Sequence, residues 1–158
     1  MRTVSIRLPV GPERAFALLE DPRSFRALVA GVRRIRRFDP RWPEPGSAVH
    51  HSAGFPPLMV GDTSVVTECE PGRRLVLEAR LHFVGRLIVV FEFAPDGTGS
   101  VLTLSECPTA GPVNLPYVRW LVEVVTAVRN AEMGRRFARL VADREALAAT
   151  ATGRGGRA

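Results

Sequence analysis

Four ionisable residues, His51, Asp62, Glu106 and Arg129, stand where the surrounding pattern favours apolar side chains. His51 alternates with Val49 and Ala53, and Asp62 alternates with Val60, Ser64 and Val66, so each shares a strand face with small or apolar neighbours. The two runs flank Gly54-Phe55-Pro56-Pro57, which reads as a hairpin connection. If the turn is centred between Pro56 and Pro57, His51 falls directly opposite Asp62, with Cβ atoms about 5 Å apart. A His–Asp pair out of water can act as a general base, the carboxylate fixing the imidazole tautomer. The bland alternative is a satisfied structural contact at the wall of the core.

Glu106 follows Leu102 and Leu104 on an inward strand face, where a lone carboxylate is costly without a partner. Arg129 lies in line with Val118, Val122 and Val125 at helical spacing. An ion pair between the two would solve both burial problems, and Arg129 could instead hold a ligand carboxylate or polarise a carbonyl. Against a ligand role, Glu132 lies three residues after Arg129 and four before Arg136, so a network on the helix surface accounts for these charges equally well.

The residue types that are missing narrow the chemistry further. All 22 basic residues are arginine, against 16 acidic ones. Without lysine there is no Schiff-base chemistry, no pyridoxal-phosphate anchor and no phosphate-binding P-loop lysine. Cys69 and Cys107 are far apart, and His50 faces away from His51 with no third ligand at usable spacing, so neither a disulfide framework nor a metal site is expected. We expect no metal and no covalently bound cofactor. The run Arg33-Arg34-Ile35-Arg36-Arg37 invites a nucleic-acid reading, but alternation splits the arginines between two strand faces with no interleaved aromatic residues. Specific nucleic-acid binding is therefore not expected. His82 reads as a surface residue. The first strand begins within a few residues of Met1 with no signal-peptide run, and no stretch is long enough to span a membrane. A cytoplasmic location is the expectation.

The elements that must position these residues follow from periodicity. Thr3 to Leu8 alternates as a strand, Gly11 to about Glu20 reads as a short helix burying Phe16, Leu18 and Leu19, and Asp21-Pro22 starts a second helix ending near Gly31. Val32 to Phe38 is strand-like, and a loop with three prolines surrounds Trp42. Strands then follow over Ser47–Ala53, Val60–Glu70 and Arg74–Phe83, with a further strand carrying Leu87, Val89, Phe91 and Phe93 and a last one carrying Leu102 to Glu106. A three-residue loop centred on Gly85 keeps Leu81 and Val89 on one face. Asn114 to about Leu147 reads as one long helix, with Asn114 as cap, Pro116 in its first turn, and a stripe through Val118, Leu121, Val122, Val125 and Val128 that Met133, Phe137, Leu140 and Leu147 continue. The natural arrangement is a curved antiparallel sheet gripping that helix: one α+β domain over residues 1–147, with 148–158 as a flexible tail.

The ordered set Pro12-Glu13-Arg14, Trp42-Pro43-Glu44-Pro45-Gly46-Ser47, His50-His51, Gly54, Pro57-Leu58, Asp62-Thr63-Ser64, Arg73-Arg74-Leu75, Glu106 and Arg129-Asn130 resembles the START-like, helix-grip superfamily. The superfamily is also labelled SRPBCC or polyketide cyclase and lipid transport, and the likeness is to its small stand-alone bacterial members. The resemblance implies a seven-stranded antiparallel sheet wrapped around the terminal helix, with an apolar cavity between them. Two departures stand out. Leu28-Val29 replaces a common tryptophan, and Ile88 and Val90 are apolar on an outward face that is usually charged, which marks a candidate homodimer surface.

Within such a cavity the expected lining is Leu77, Leu81, Val89, Phe91, Leu102, Leu104, Val122 and Val125, with His51, Asp62, Ser64, Glu106 and Arg129 as the polar groups. Three functions compete. The first is a binder or carrier of a small hydrophobic molecule such as a lipid, polyketide or isoprenoid. The second is a polyketide aromatase/cyclase or dehydratase-type enzyme in which His51 and Asp62 move protons and Arg129 holds a carbonyl or carboxylate. The third is a regulatory module that binds RNA or a protein.

Overall fold

A computed structural model describes the backbone of residues 2–28, 32–55, 58–81, 85–110 and 116–155. Within those segments the side chains of 2, 22, 23, 28, 33, 53–55, 58–60, 81, 116–127, 129 and 149–155 are not described. The element order is β1 (Arg2–Leu8), α1 (Pro12–Glu20), α2 (Pro22–Leu28), β2 (Val32–Phe38), β3 (Ala48–Phe55), β4 (Leu58–Glu70), β5 (Arg74–Leu81), β6 (Gly85–Asp96), β7 (Gly99–Ala110) and α3 (Pro116–Gly155). The seven strands form one antiparallel sheet in the order β1-β7-β6-β5-β4-β3-β2.

Strict alternation makes the sheet two-faced, which is why it needs a helix on one side. Val49, Val66, Leu75, Leu77, Leu87, Val89, Phe91, Phe93, Leu102 and Leu104 are all buried, and the strand registers put them on a single face. The α1 helix begins with Pro12 in its first turn and buries Ala15, Phe16, Leu18 and Leu19. Phe16 stacks edge-on to Phe93 at 5.8 Å between centroids, and Phe93 in turn meets Phe137 of α3 at 5.8 Å. The Trp42 loop is anchored by the indole Nε1 donating to the carbonyl oxygen of Leu19 at 2.8 Å, with Phe25 and Phe38 packed around the ring.

Among the described residues of α3, Asn130, Met133, Gly134, Phe137 and Val141 are buried, recurring three and four apart. This stripe lies over β1 and β7. The helix backbone comes close to β1 at Gly134, where a Cβ would sit 1.9 Å from Ile6 Cδ1. At the far end Arg144 donates to Asp21 Oδ2 at 2.6 Å and to Ser24 Oγ at 2.7 Å, and Arg14 pairs with Glu145 at 2.5 Å. The C-terminal half of α3 is thereby fixed to α1 and α2.

Four expectations differ from the structure. The β5–β6 hairpin pairs Leu81 with Gly85 and Leu77 with Val89, so its three-residue loop spans 82–84 and is not centred on Gly85. Parity is preserved, so both apolar sets still share a face. Gly85 instead opens β6 at φ 122°, a conformation glycine adopts without strain. Val128 and Leu147, expected in the α3 stripe, are exposed at 63% and 70%. The buried stripe is centred on Asn130, and two residues along a helix turn about 200° around the axis, which puts Val128 on the opposite side. The helix also continues past Leu147 to Gly155, through an alanine-rich run that favours helix. Finally, β7 runs to Ala110 and pairs Pro108 with Leu87 beside a register shift. The expected cap Asn114, the turn residues 56–57 and 82–84, His82, Phe83 and Val29 to Gly31 lie outside the described residues.

Candidate functional site

His51 and Asp62 are direct cross-strand partners, and His51 is also opposite Ile35 on β2. Both members of the pair are buried, His51 at 5% and Asp62 at 4% exposure. Ser64 follows Asp62 by two residues on the same face and is buried opposite Val49 and Ala79. A wall of one imidazole, one carboxyl and one hydroxyl is thus built on β3 and β4. His50, pointing to the other face, is occupied by Thr63, with Nδ1 and Oγ1 3.0 Å apart.

Glu106 is buried on the same sheet face, opposite Val89. It does not sit beside the His51–Asp62 pair. From β4 to β7 there are three strand intervals, about 14 Å across the sheet at ordinary strand spacing. Leu77 and Ala79 of β5 and Leu87 and Val89 of β6 form a buried apolar floor between the two polar groups. The expected lining residues Leu77, Val89, Phe91, Leu102 and Leu104 are all buried on this face. Leu81, Val122, Val125 and Arg129 have backbones within β5 and α3, but their side chains lie outside the described residues.

The charges on the described part of α3 form the local network that helix spacing allows. Glu132 accepts hydrogen bonds from Arg136 Nε at 2.8 Å and Arg135 Nε at 3.2 Å, with Arg139 3.7 Å away. The guanidinium groups of Arg136 and then Arg135 hold its carboxyl below the usual carboxylate range.

Asn130 is a buried polar residue that the sequence reading did not place in the site. It is completely buried, and neither Nδ2 nor Oδ1 has a hydrogen-bond partner among the described residues. Its signal in the sequence is a polar residue three, four and seven positions before Met133, Gly134 and Phe137, on the stripe that packs against the sheet.

One other region is accounted for without a ligand. A groove of about 450 Å³ on the opposite sheet face is lined by Glu68, Glu70, Arg73, Arg74, Glu92 and Thr103 among others. Its charges satisfy one another, since Arg74 pairs with Glu68 at 2.9 Å and with Glu92, and Arg73 pairs with Glu70 at 2.7 Å. Among the described residues no group of three or more His, Cys, Asp or Glu lies together where it could hold a metal ion. No helix among them is long and apolar enough to cross a membrane.

The architecture, seven antiparallel strands closed by a long C-terminal helix, is the helix-grip fold, and solved structures share it at low identity. A Rhodobacter sphaeroides protein aligns with a TM-score of 0.69 at 20% identity, covering 89% of this chain and 91% of its own. The di-domain ARO/CYC StfQ from the steffimycin biosynthetic pathway aligns with a TM-score of 0.69 at 19% identity, over 92% of this chain and 51% of the longer one. TTHA0849 from Thermus thermophilus aligns with a TM-score of 0.63 at 18% identity, over 90% and 97% of the two chains. No curated protein matches the sequence. Residues 2–145 match the family described as polyketide cyclase / dehydrase and lipid transport, and the chain belongs to that family.

Proposed function

We propose that the chain binds a small, elongated, hydrophobic molecule between the concave sheet face and α3, and serves as its carrier. The observation that carries this reading is the distribution of buried polarity. His51, Asp62 and Ser64 stand on one side of an apolar floor, and Glu106 stands on the other. An apolar strip with polar groups at both edges matches a ligand that has an apolar body and polar ends. Arg129, on the same helix as Asn130, is a further proposed anchor for an oxygen of that ligand.

The neutral, elongated fluorophore N-phenyl-1-naphthylamine tests the site. Saturable binding to one site is expected, weakened at least tenfold by Leu77→Trp, which fills the floor, and unchanged by Val90→Trp on the opposite face. Absence of saturable binding, or equal binding by both variants, would overturn the proposal.

The register of His51 against Asp62 supports a second reading, a cyclase or dehydratase in which this pair transfers protons on a bound polyketone chain. StfQ is an ARO/CYC protein of a biosynthetic pathway, which gives that reading a precedent on the same fold. His51→Gln keeps a hydrogen-bonding group but is a poor base. It should leave fluorophore affinity unchanged in a carrier, and in an enzyme it should abolish turnover while binding persists.

A further inference from the structure

The packing of α3 leaves one group without an explanation. Asn130 sits in the stripe that faces the sheet, one helical turn before Gly134, and its amide is wholly out of solvent. Neither its nitrogen nor its oxygen has a partner among the described residues, so exchanging the two by flipping the amide would satisfy neither. Buried amides in folded proteins are otherwise paired. Leucine would occupy a similar volume at that position without this cost.

The direction of α3 says where the amide lies. The helix leaves α1 and α2 at Arg144 and Glu145, meets Phe93 at Phe137 and rests on Ile6 at Gly134. Ile6 is opposite Leu102 on β7, and the following inward positions on that strand are Leu104 and Glu106. One more turn toward the helix N-terminus, about 6 Å, carries Asn130 toward the Leu104–Glu106 end of the concave face, where the proposed ligand places one polar end.

We infer that Asn130 is a ligand-recognition residue whose amide meets a neutral group carrying a hydrogen-bond donor and an acceptor on one edge. A carboxamide has that edge, and so does a carbonyl with a neighbouring enol hydroxyl. The match is to the amide's own arrangement, one donor and one acceptor side by side. The match calls for no charge on the ligand group, since the amide's own donor and acceptor are uncharged. The inference rests on the proposed ligand site and specifies which chemistry that site selects.

The test compares 2-naphthamide with 2-acetonaphthone, which has nearly the same shape and carbonyl but no N–H donor. Wild-type protein should bind the amide about tenfold more tightly, and Asn130→Leu should bind the two equally. The ligand-free leucine variant should also unfold at a higher urea concentration than wild type, because a buried amide with no partner among the described residues is gone. Equal affinity of wild type for both probes, or an undiminished preference in the variant, would overturn the inference while leaving the ligand site intact. Failure of wild type to bind either probe would sink the site and the inference together. Should the variant fail to fold, a crystal structure of wild type with 2-naphthamide decides: the ligand on both Asn130 atoms supports the inference, and the amide bonded only to water or protein refutes it.

Discussion

Gly134→Ala perturbs the contact that sets the height of α3 over the sheet. The new Cβ would lie 1.9 Å from Ile6 Cδ1 and 2.7 Å from Ile6 Cγ1. Carbon atoms prefer about 3.5–4.0 Å, so Ile6 or the helix must move by about 1.6 Å to admit the methyl. Replacing a helical glycine with alanine gains about 1 kcal/mol. Overpacking a filled position costs about 1–3 kcal/mol, and two atoms of a β-branched side chain obstruct this one, which places the cost in the upper part of that range. The expected net effect is a loss of about 1–2 kcal/mol, read in urea unfolding as a lower midpoint at unchanged slope. Ile6→Val removes the Cδ1 atom and alone costs about 0.5–1.5 kcal/mol. The γ carbon at 2.7 Å remains in that background, so Gly134→Ala should still destabilise there but by less, and the double-mutant cycle should report a coupling of about 1 kcal/mol. If Gly134→Ala stabilises the protein by the full helix-propensity gain and the two changes are additive, α3 does not rest on β1 at this point, and the placement of Asn130 falls with it.

Arg129→Leu in a carrier should weaken ligand binding by about 1.5–3 kcal/mol, the range for a hydrogen bond to a charged group, and unchanged affinity in a fluorophore titration would remove Arg129 as an anchor. Cys107 is exposed, whereas burial, and after it the charge of Glu20, raises the pKa of the Cys69 thiol. A thiol-reactive chromophore at neutral pH should therefore label Cys107 first and Cys69 in a slower phase, and a single phase with equal rates would contradict this. Because Cys107 lies opposite Ile88, beside Val90, a homodimer through that face should slow Cys107 labelling as protein concentration rises, and a concentration-independent rate would rule the dimer out. Glu132 has a lowered folded-state pKa, so its ion pairs contribute stability above the unfolded carboxylate value that is lost as pH falls through the folded one. The stability difference between wild type and Glu132→Gln should be present at neutral pH, vanish in acid and shrink with salt; a difference that persists in acid would be inconsistent with this origin.

The sequence carried the fold further than the site. Alternation and the paired prolines at 56 and 57 were enough to set the β3–β4 register, because a one-residue slip would have sent His51 and Asp62 to different faces. The β5–β6 register was harder. Gly85 is a strong turn signal, and moving the loop by two residues preserves parity, so the hydrophobic pattern cannot tell the two registers apart. The rotation of the α3 stripe was visible only in part. Val128 is apolar yet exposed and Asn130 is polar yet buried, because the contact with β1, not hydropathy, decides which side of the helix faces inward. The separation of Glu106 from His51 and Asp62 was not legible at all, since alternation assigns a face but strand order assigns the distance across it.

The central claim, that a ligand lies on the concave face between the two polar groups, is tested most directly by methyl-labelled NMR during titration with 2-naphthamide. Leu77, Leu87 and Val89 on the floor, and Leu104 on β7, should shift in saturable fashion and show contacts to the naphthalene protons, while Val76, Ile88 and Val90 on the opposite face stay unmoved. Shifts confined to Val76, Ile88 and Val90, with the floor methyls unchanged, would contradict the account.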